Sequence, residues 1–258
     1  MERKDYVHPL QDAAFEKYKD GVSFQKDIEN TYDNVEYKSR RPDLLGKTVR
    51  VTEKQFHNVW EIMEDIYRHE SRSTVVPVYV YEEYYYGAES YGISNPWIEI
   101  SAKTIADFSE EELRFVLARE VYKITDGVTK QKTMMEERFK GIKALAPEEF
   151  EEVSKLSFYH WYRIANFTAD NYGYLSCGSI KASVYAVLKM VLNSVALAEQ
   201  VDIKEFIAQA SEINELNDVF YNHTKADEPV PYAPHRLQNL MAYAESERGM
   251  KAMMERME

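Results

Sequence analysis

The stretch 109-SEEELRFVLAREVYKI-124 decides the fold. Ser109 is a natural helix N-cap, and Glu112 three residues on completes a capping box, in which each side chain satisfies the other residue's backbone N–H. Leu113, Val116, Leu117, Glu120 and Ile124 recur at helical spacing, so the segment predicts an amphipathic helix. Its second half reads Arg119-Glu120-Val121-Tyr122-Lys123, a single glutamate between two cations.

A zinc peptidase helix carries H-E-x-x-H, with two imidazoles one turn apart on one face and a glutamate that activates water. Here Arg119 and Lys123 stand at the histidine positions and Glu120 is kept. Three other stretches extend the pattern: 87-GAESYGISNPWIEISAKTIADFSEEEL-113, 163-RIANFTADNYGYLSCG-178 and 231-PYAPHRLQNL-240. Together the four resemble the HtpX-like zinc metallopeptidases, gluzincins of peptidase family M forty-eight. Residues 111–120, E-E-L-R-F-V-L-A-(H)-E with Arg119 in the histidine's place, look like that family's active-site helix, and the stretch before them resembles its N-A-x-x-x-G…I-x-(L/I) strand. Its later segments read R-x-x-E-F-x-A-D-R-x-G and H-P-x-x-x-x-R-x-x-x-L. Arg163, Phe167, Ala169, Asp170 and Gly173 match, whereas Asn166 replaces the third zinc ligand and Val230 the histidine of the tail. The resemblance spans residues 75–242.

The resemblance implies a zincin-like metallopeptidase fold, α+β but mostly α, with a small β-sheet beside the active-site helix. It also implies that all three ligand positions are substituted. Zinc takes deprotonated or neutral N, O or S donors; arginine stays protonated, and asparagine is a poor ligand. Zinc is therefore expected to be absent, leaving a relict site of Arg119, Glu120, Lys123, Arg163, Asn166 and Asp170. Two arrangements remain open. The heads of Arg119 and Lys123 fill the metal's space and pair with Glu120 and Asp170, or they point to solvent on a decayed face. The first function expected is a catalytically inactive homologue that binds or regulates through a peptide or protein. The alternatives are an active zinc metalloendopeptidase with a non-standard ligand set, and a purely structural interaction protein.

A tyrosine cluster over residues 79–91 is the second candidate site. Tyr84, Tyr85, Tyr86 and Tyr91 are the peptide-binding candidates, since tyrosine supplies amphipathic contact area and is enriched at interfaces. In the resembled family a strand near this position pairs with substrate, a β-augmentation. Core packing accounts for part of the cluster equally well. Strand alternation would send Tyr79, Tyr81 and Tyr85 to one face and Tyr84 and Tyr86 to the other.

With 258 residues and 45% hydrophobic content, the chain has ample material for a core. Its 20 tyrosines argue against disorder. A formal net charge of -12 makes nucleic acid an improbable partner and disfavours anionic membranes. The single cysteine, Cys177, precludes an internal disulfide and is read as a core thiol. No secretory signal or run of about 18 uncharged apolar residues is visible, so a cytoplasmic location is expected. The oligomeric state is left unknown.

Residues 1–74 read as a helical extension packed on a peptidase-like domain, 75–258, the two forming one unit. Within the extension, helices are expected at 9–20, 23–33 and after Thr52, with a break at Arg40-Arg41-Pro42. Strands are expected at 75–81 and 97–101, the latter with Trp97, Glu99 and Ser101 opposite Ile98 and Ile100. Helices follow at 129–142, from Ala146-Pro147 to about Leu175, and at 180–199, 203–221 and 234–255, with a loop at 222–233. The six histidines show no i, i+4 ligand spacing; His223 and His235 beside acidic residues 224–228 form the weakest of the metal-site candidates. No phosphate-binding glycine loop and no nucleophile elbow is present.

Overall fold

The computed structural model describes residues 2–19, 29–70, 74–142 and 148–257, with side chains outside 139–154 and 257. Its helices are α1 (Arg3–Tyr6), α2 (Gln11–Lys19), α3 (Tyr37–Lys47), α4 (His57–His69), α5 (Ala102–Asp107), α6 (Glu110–Thr125) and α7 (Val128–Ile142). They continue with α8 (Glu148–Cys177), α9 (Ile180–Leu192), α10 (Val195–Ala198), α11 (Ile203–Glu215), α12 (Val219–Asp227), α13 (Ala233–Glu245) and α14 (Glu247–Met257). Four strands, β1 (Val49–Arg50), β2 (Val78–Tyr81), β3 (Ala88–Tyr91) and β4 (Trp97–Ser101), make one sheet in the order β1-β2-β4-β3. The architecture is α+β and mostly helical.

The sheet is mixed. Val49 pairs antiparallel with Val80, Val78 parallel with Ile98, and Ser90 antiparallel with Ile98. One face carries Val78, Val80, Ile98 and Ile100 into the main core, where they meet α4 through Ile62, Met63 and Ile66 and α6 through Val116 and Leu117. The other face carries Tyr79 and Trp97 into a smaller cluster with Tyr32, Leu44 and Met134. Every residue of β4 is consequently buried, although its sequence alternates.

The second face is covered by a helical run from residue 29 through a π-helical turn, Tyr32–Glu36, into α3. No break occurs at Arg40-Arg41-Pro42: Pro42 lies inside α3. The run is exposed on most of its circumference, and the one backbone bond that Pro42 removes is open to water. Residues 1–74 thus contribute a strand, a sheet cover and core side chains such as Tyr6, Tyr18 and Val59. Residues 23–28 of the expected 23–33 helix, and the expected start at Ala146-Pro147, lie outside the described residues.

Four other expected boundaries shift. Asn193, in the left-handed region at φ 52°, ends α9, so 180–199 is two helices. Residues 219–227, expected to be partly loop, form α12 behind an Asp218 cap, leaving 228–232 as the connection. Ser246 divides 234–255 into α13 and α14. In the tyrosine loop there is no strand between Glu82 and Gly87, so the alternation expected for Tyr84, Tyr85 and Tyr86 does not arise.

Helix α6 has the capping box read from its sequence: Ser109 N–H donates to Glu112 Oε2 at 2.7 Å and Glu112 N–H to Ser109 Oγ at 3.3 Å. It is not amphipathic in place. Residues 115–123 are all buried, because α4, α8, α9 and β3 surround it. Its closest neighbour is α8, and the approach depends on Gly173. A Cβ there would lie 2.8 Å from Phe115 Cδ2, 2.9 Å from Arg119 Cγ and 2.9 Å from the Phe115 carbonyl oxygen. Backbone cannot yield as a flexible side chain can, so Gly173→Ala is expected to lose about 1–3 kcal/mol of stability. Urea denaturation measures it, and an unchanged midpoint would contradict the packing described.

Candidate functional site

Helices α6 and α8 bring together five of the six residues expected at the relict site. Arg119 Nε donates to Asp170 Oδ1 at 2.6 Å, and Arg119 Nη2 to Asn166 Oδ1 at 3.3 Å. Asn166 is oriented by donating Nδ2 to the Tyr162 carbonyl one turn earlier, at 2.9 Å. Lys123 Nζ donates to Glu120 Oε1 at 2.8 Å, and Arg119 Nη1 lies 3.9 Å from the same oxygen. The heads of Arg119 and Lys123 are thus inside, paired with carboxylates, rather than in open water.

Arg236, on α13, completes the cluster. It donates Nε to Asp170 Oδ2 at 2.9 Å and Nη2 to Asp170 Oδ1 at 2.8 Å, a fork on a carboxylate already engaged by Arg119. Arg236 is the arginine of the tail motif, and that match was the only sign of it in the sequence. Arg163 does not join. Helical phase puts it near Asn166, but its Nη1 donates to the carbonyls of Ala226 and Glu228, where it caps α12. An arginine suits this negative helix end.

Asp170 is fully buried. Burial alone would push its carboxyl up, but the Arg236 and Arg119 guanidiniums outweigh that and hold it below the ordinary carboxylate range. Asp170 in turn keeps Arg236 raised against its own desolvation. Glu120, also fully buried, accepts on Oε2 from the backbone N–H of Ser90 at 2.9 Å and the Ser90 hydroxyl at 2.8 Å. The Ser90 hydroxyl continues to Thr129 Oγ1 at 2.7 Å. All four carboxylate oxygens in the cluster therefore have donors within the chain.

These bonds also close the strand edge. The Ser90 N–H points away from β4 and is taken by Glu120, and the next outward N–H, of Gly92, donates to Thr133 Oγ1 at 3.2 Å. An added peptide strand would have to displace both, so the expected β-augmentation on β3 is opposed at these two positions. The tyrosine candidates divide. Tyr84 and Tyr85 are 81% and 66% exposed. Tyr86 is buried, its hydroxyl donating to Asp107 Oδ2 at 2.5 Å. Tyr91 stacks on Trp97 at 5.8 Å under the Lys132 ammonium and donates to Glu89 Oε2 at 2.6 Å.

The donor set does not fit a metal. Two of the three expected ligand positions carry fixed cations, the third is an amide, and the neighbouring carboxylates are committed to those cations and to Ser90. Among the described residues no group of three or more His, Cys, Asp or Glu side chains converges, His223 and His235 included. No described helix is long and apolar enough to cross a membrane. No protein-family model, curated protein or solved structure matches the chain.

Removing the Asp170 charge would leave two buried guanidiniums facing each other. Asp170→Asn is therefore expected to cost about 3–5 kcal/mol. The folded carboxyl titrates below its unfolded value of about 3.9, so its contribution is complete above that pH and vanishes as pH falls through the folded value. Urea melts over a pH series check this: the wild type should lose stability below about pH 4 more steeply than the variant. Parallel acid limbs would contradict it.

Proposed function

We propose that this protein is a catalytically inactive, peptidase-like scaffold that acts by binding a protein or peptide rather than by cleaving one. The observation that carries the reading is the cluster itself. On this reading Arg119, Lys123 and Asn166 take the positions of a gluzincin's metal ligands; Arg119 with Arg236 supplies Asp170, and Lys123 supplies Glu120, with the positive charge that an ion would otherwise provide, while Asn166 accepts from Arg119. A buried carboxylate without a cation would be costly; tethered cations avoid that cost and keep the helix pair together. Glu120, which would polarise water in an active enzyme, is instead paired with the Lys123 ammonium and accepts two hydrogen bonds from Ser90, which oppose that role.

The zincin-like relationship is part of this proposal. It rests on the order of the four sequence stretches, on the small sheet beside α6, and on the meeting of residues 119–123 with 166–170. Binding is assigned to the exposed loop of Tyr84 and Tyr85, because the outward amides of Ser90 and Gly92 at the β3 edge are already taken. Lys103 Nζ and Asn193 Nδ2 both donate to the Tyr84 carbonyl, at 3.2 and 2.8 Å, so the two rings stand on an anchored backbone. A partner would find them already placed, which lowers the ordering cost of association.

Zinc quantified by mass spectrometry in protein from zinc-supplemented cultures should be far below one per chain, with no chelator-sensitive cleavage of casein. The folded triple variant Arg119→His, Lys123→His, Asn166→Glu should acquire zinc. Stoichiometric zinc with casein cleavage in the wild type would overturn the inactive reading, and a folded triple variant blind to zinc would refute the assignment of the three positions. For binding, peptides selected from a library should lose affinity on joint Tyr84→Ser and Tyr85→Ser substitution. Retained affinity would move the interaction elsewhere.

A further inference from the structure

Beyond the buried cluster, on the neighbouring face of α8, a cavity of about 400 Å³ opens between α8, α11, α12 and the 228–235 segment. Small-molecule sites span roughly 300–1,000 Å³. Its walls are largely apolar: Ile164 and Phe167 from α8, Ile213 from α11, and Val230, Pro231 and Tyr232 from the connection into α13. A cavity of this kind selects its ligand by the few polar groups that line it.

Those groups favour an anion. Arg163 is half-buried; among the described residues no carboxylate lies within ion-pair distance of it, Glu228 being the one that acts on it electrostatically, and its two bonds, to the Ala226 and Glu228 carbonyls, both use Nη1. Nε and Nη2 have no partner of their own among the described residues. Lys225 adds a second cation, held by the Ile213 and Leu216 carbonyls, while Glu228 is the one carboxylate on the lining. Two cations against one carboxylate make a locally positive pocket in a chain whose formal net charge is -12. His160 and His235 are held below the ordinary histidine range, chiefly by burial and then by the nearby cations, so near neutral pH they offer hydrogen bonds without charge. His235 is oriented by Asn214 Oδ1, 3.1 Å away.

We propose that this cavity binds a carboxylate carried on an apolar body, with the free nitrogens of Arg163 on the carboxylate and Phe167, Ile213 and Tyr232 around the body. A guanidinium presents parallel donors that match a carboxylate. The apolar walls then distinguish an amphiphile from a small free anion. Two sources carry this chemistry, the C-terminal residue of a peptide and a medium-chain fatty acid. The site is independent of whether the Arg119–Asp170 cluster descends from a metal centre.

Isothermal titration of the full chain with decanoate, decanol, N-acetylphenylalanine and N-acetylphenylalanine amide tests it. Each acid should bind at least about tenfold tighter than its neutral counterpart, the scale of a hydrogen bond to a charged group. Tighter binding by decanoate assigns a lipid-like ligand, and tighter binding by N-acetylphenylalanine a peptide C-terminus. Arg163→Gln should abolish the preference for acids. Because Arg163 also caps α12, Arg163→Lys serves beside it, keeping the charge and part of the preference. Ile213→Trp fills the cavity and should remove binding of every probe while circular dichroism stays unchanged. Equal affinity for acids and neutral counterparts, or no binding at millimolar concentration to the folded wild type, would overturn the proposal.

Discussion

Asp170 carries a full charge with no access to water, and Arg119 and Arg236 reach it from two different helices. That condition organises much of the molecule. A carboxylate so placed must be met by cations within the chain or give up its charge. The two arginines meet it only if α6, α8 and α13 hold their present spacing. Gly173 supplies part of that spacing, since the Arg119 side chain passes over the place where a Cβ would stand. The N-terminal segment supplies another part. Gln11 donates to the Tyr122 hydroxyl on α6, and the His8 N–H donates to Thr168 on α8, at 2.7 and 2.9 Å.

The charges continue outward in alternation. Arg236, Asp170, Arg119, Glu120 and Lys123 lead to Glu89, which Lys132 holds from α7 together with Glu136. Burial raises the Glu89 carboxyl, but Lys132, then the Tyr91 hydroxyl and last Lys123 bring it below its ordinary range, so Lys123 links the inner and outer parts electrostatically. Four cations and four carboxylates alternate in this row among the described residues. Well-packed apolar residues often match buried ion pairs in stability. What such a row adds is register: helices slid by one turn would set like charges against each other.

Much of this was legible in the residues, for physical reasons that differ between elements. The α6 cap is local chemistry, four residues that satisfy one another, and it reads directly. The meeting of 119–123 with 166–170 was legible only through the four-part motif order, because nothing local tells one helix which other it will touch. Arg236 was visible as a motif letter without a role, since its partner lies 66 residues away. Arg163 was misplaced because helical phase fixes which side a residue leaves from and not where a long side chain ends. The burial of all of β4 and the cover formed by α3 escaped periodicity altogether, which reports one wet face and one dry face and has no signal for two dry ones. Pro42 inside α3 is the clearest local rule overridden by its surroundings.

The sheet's two borders are protected by different means. At one end β1 is only two residues long, too short to template another chain. At the other, the outward amides of Ser90 and Gly92 are already satisfied by Glu120 and Thr133, so a neighbouring molecule could extend β3 only by displacing them. Glu120, buried at the centre of the ion cluster, serves here also as a guard against polymerisation through exposed backbone.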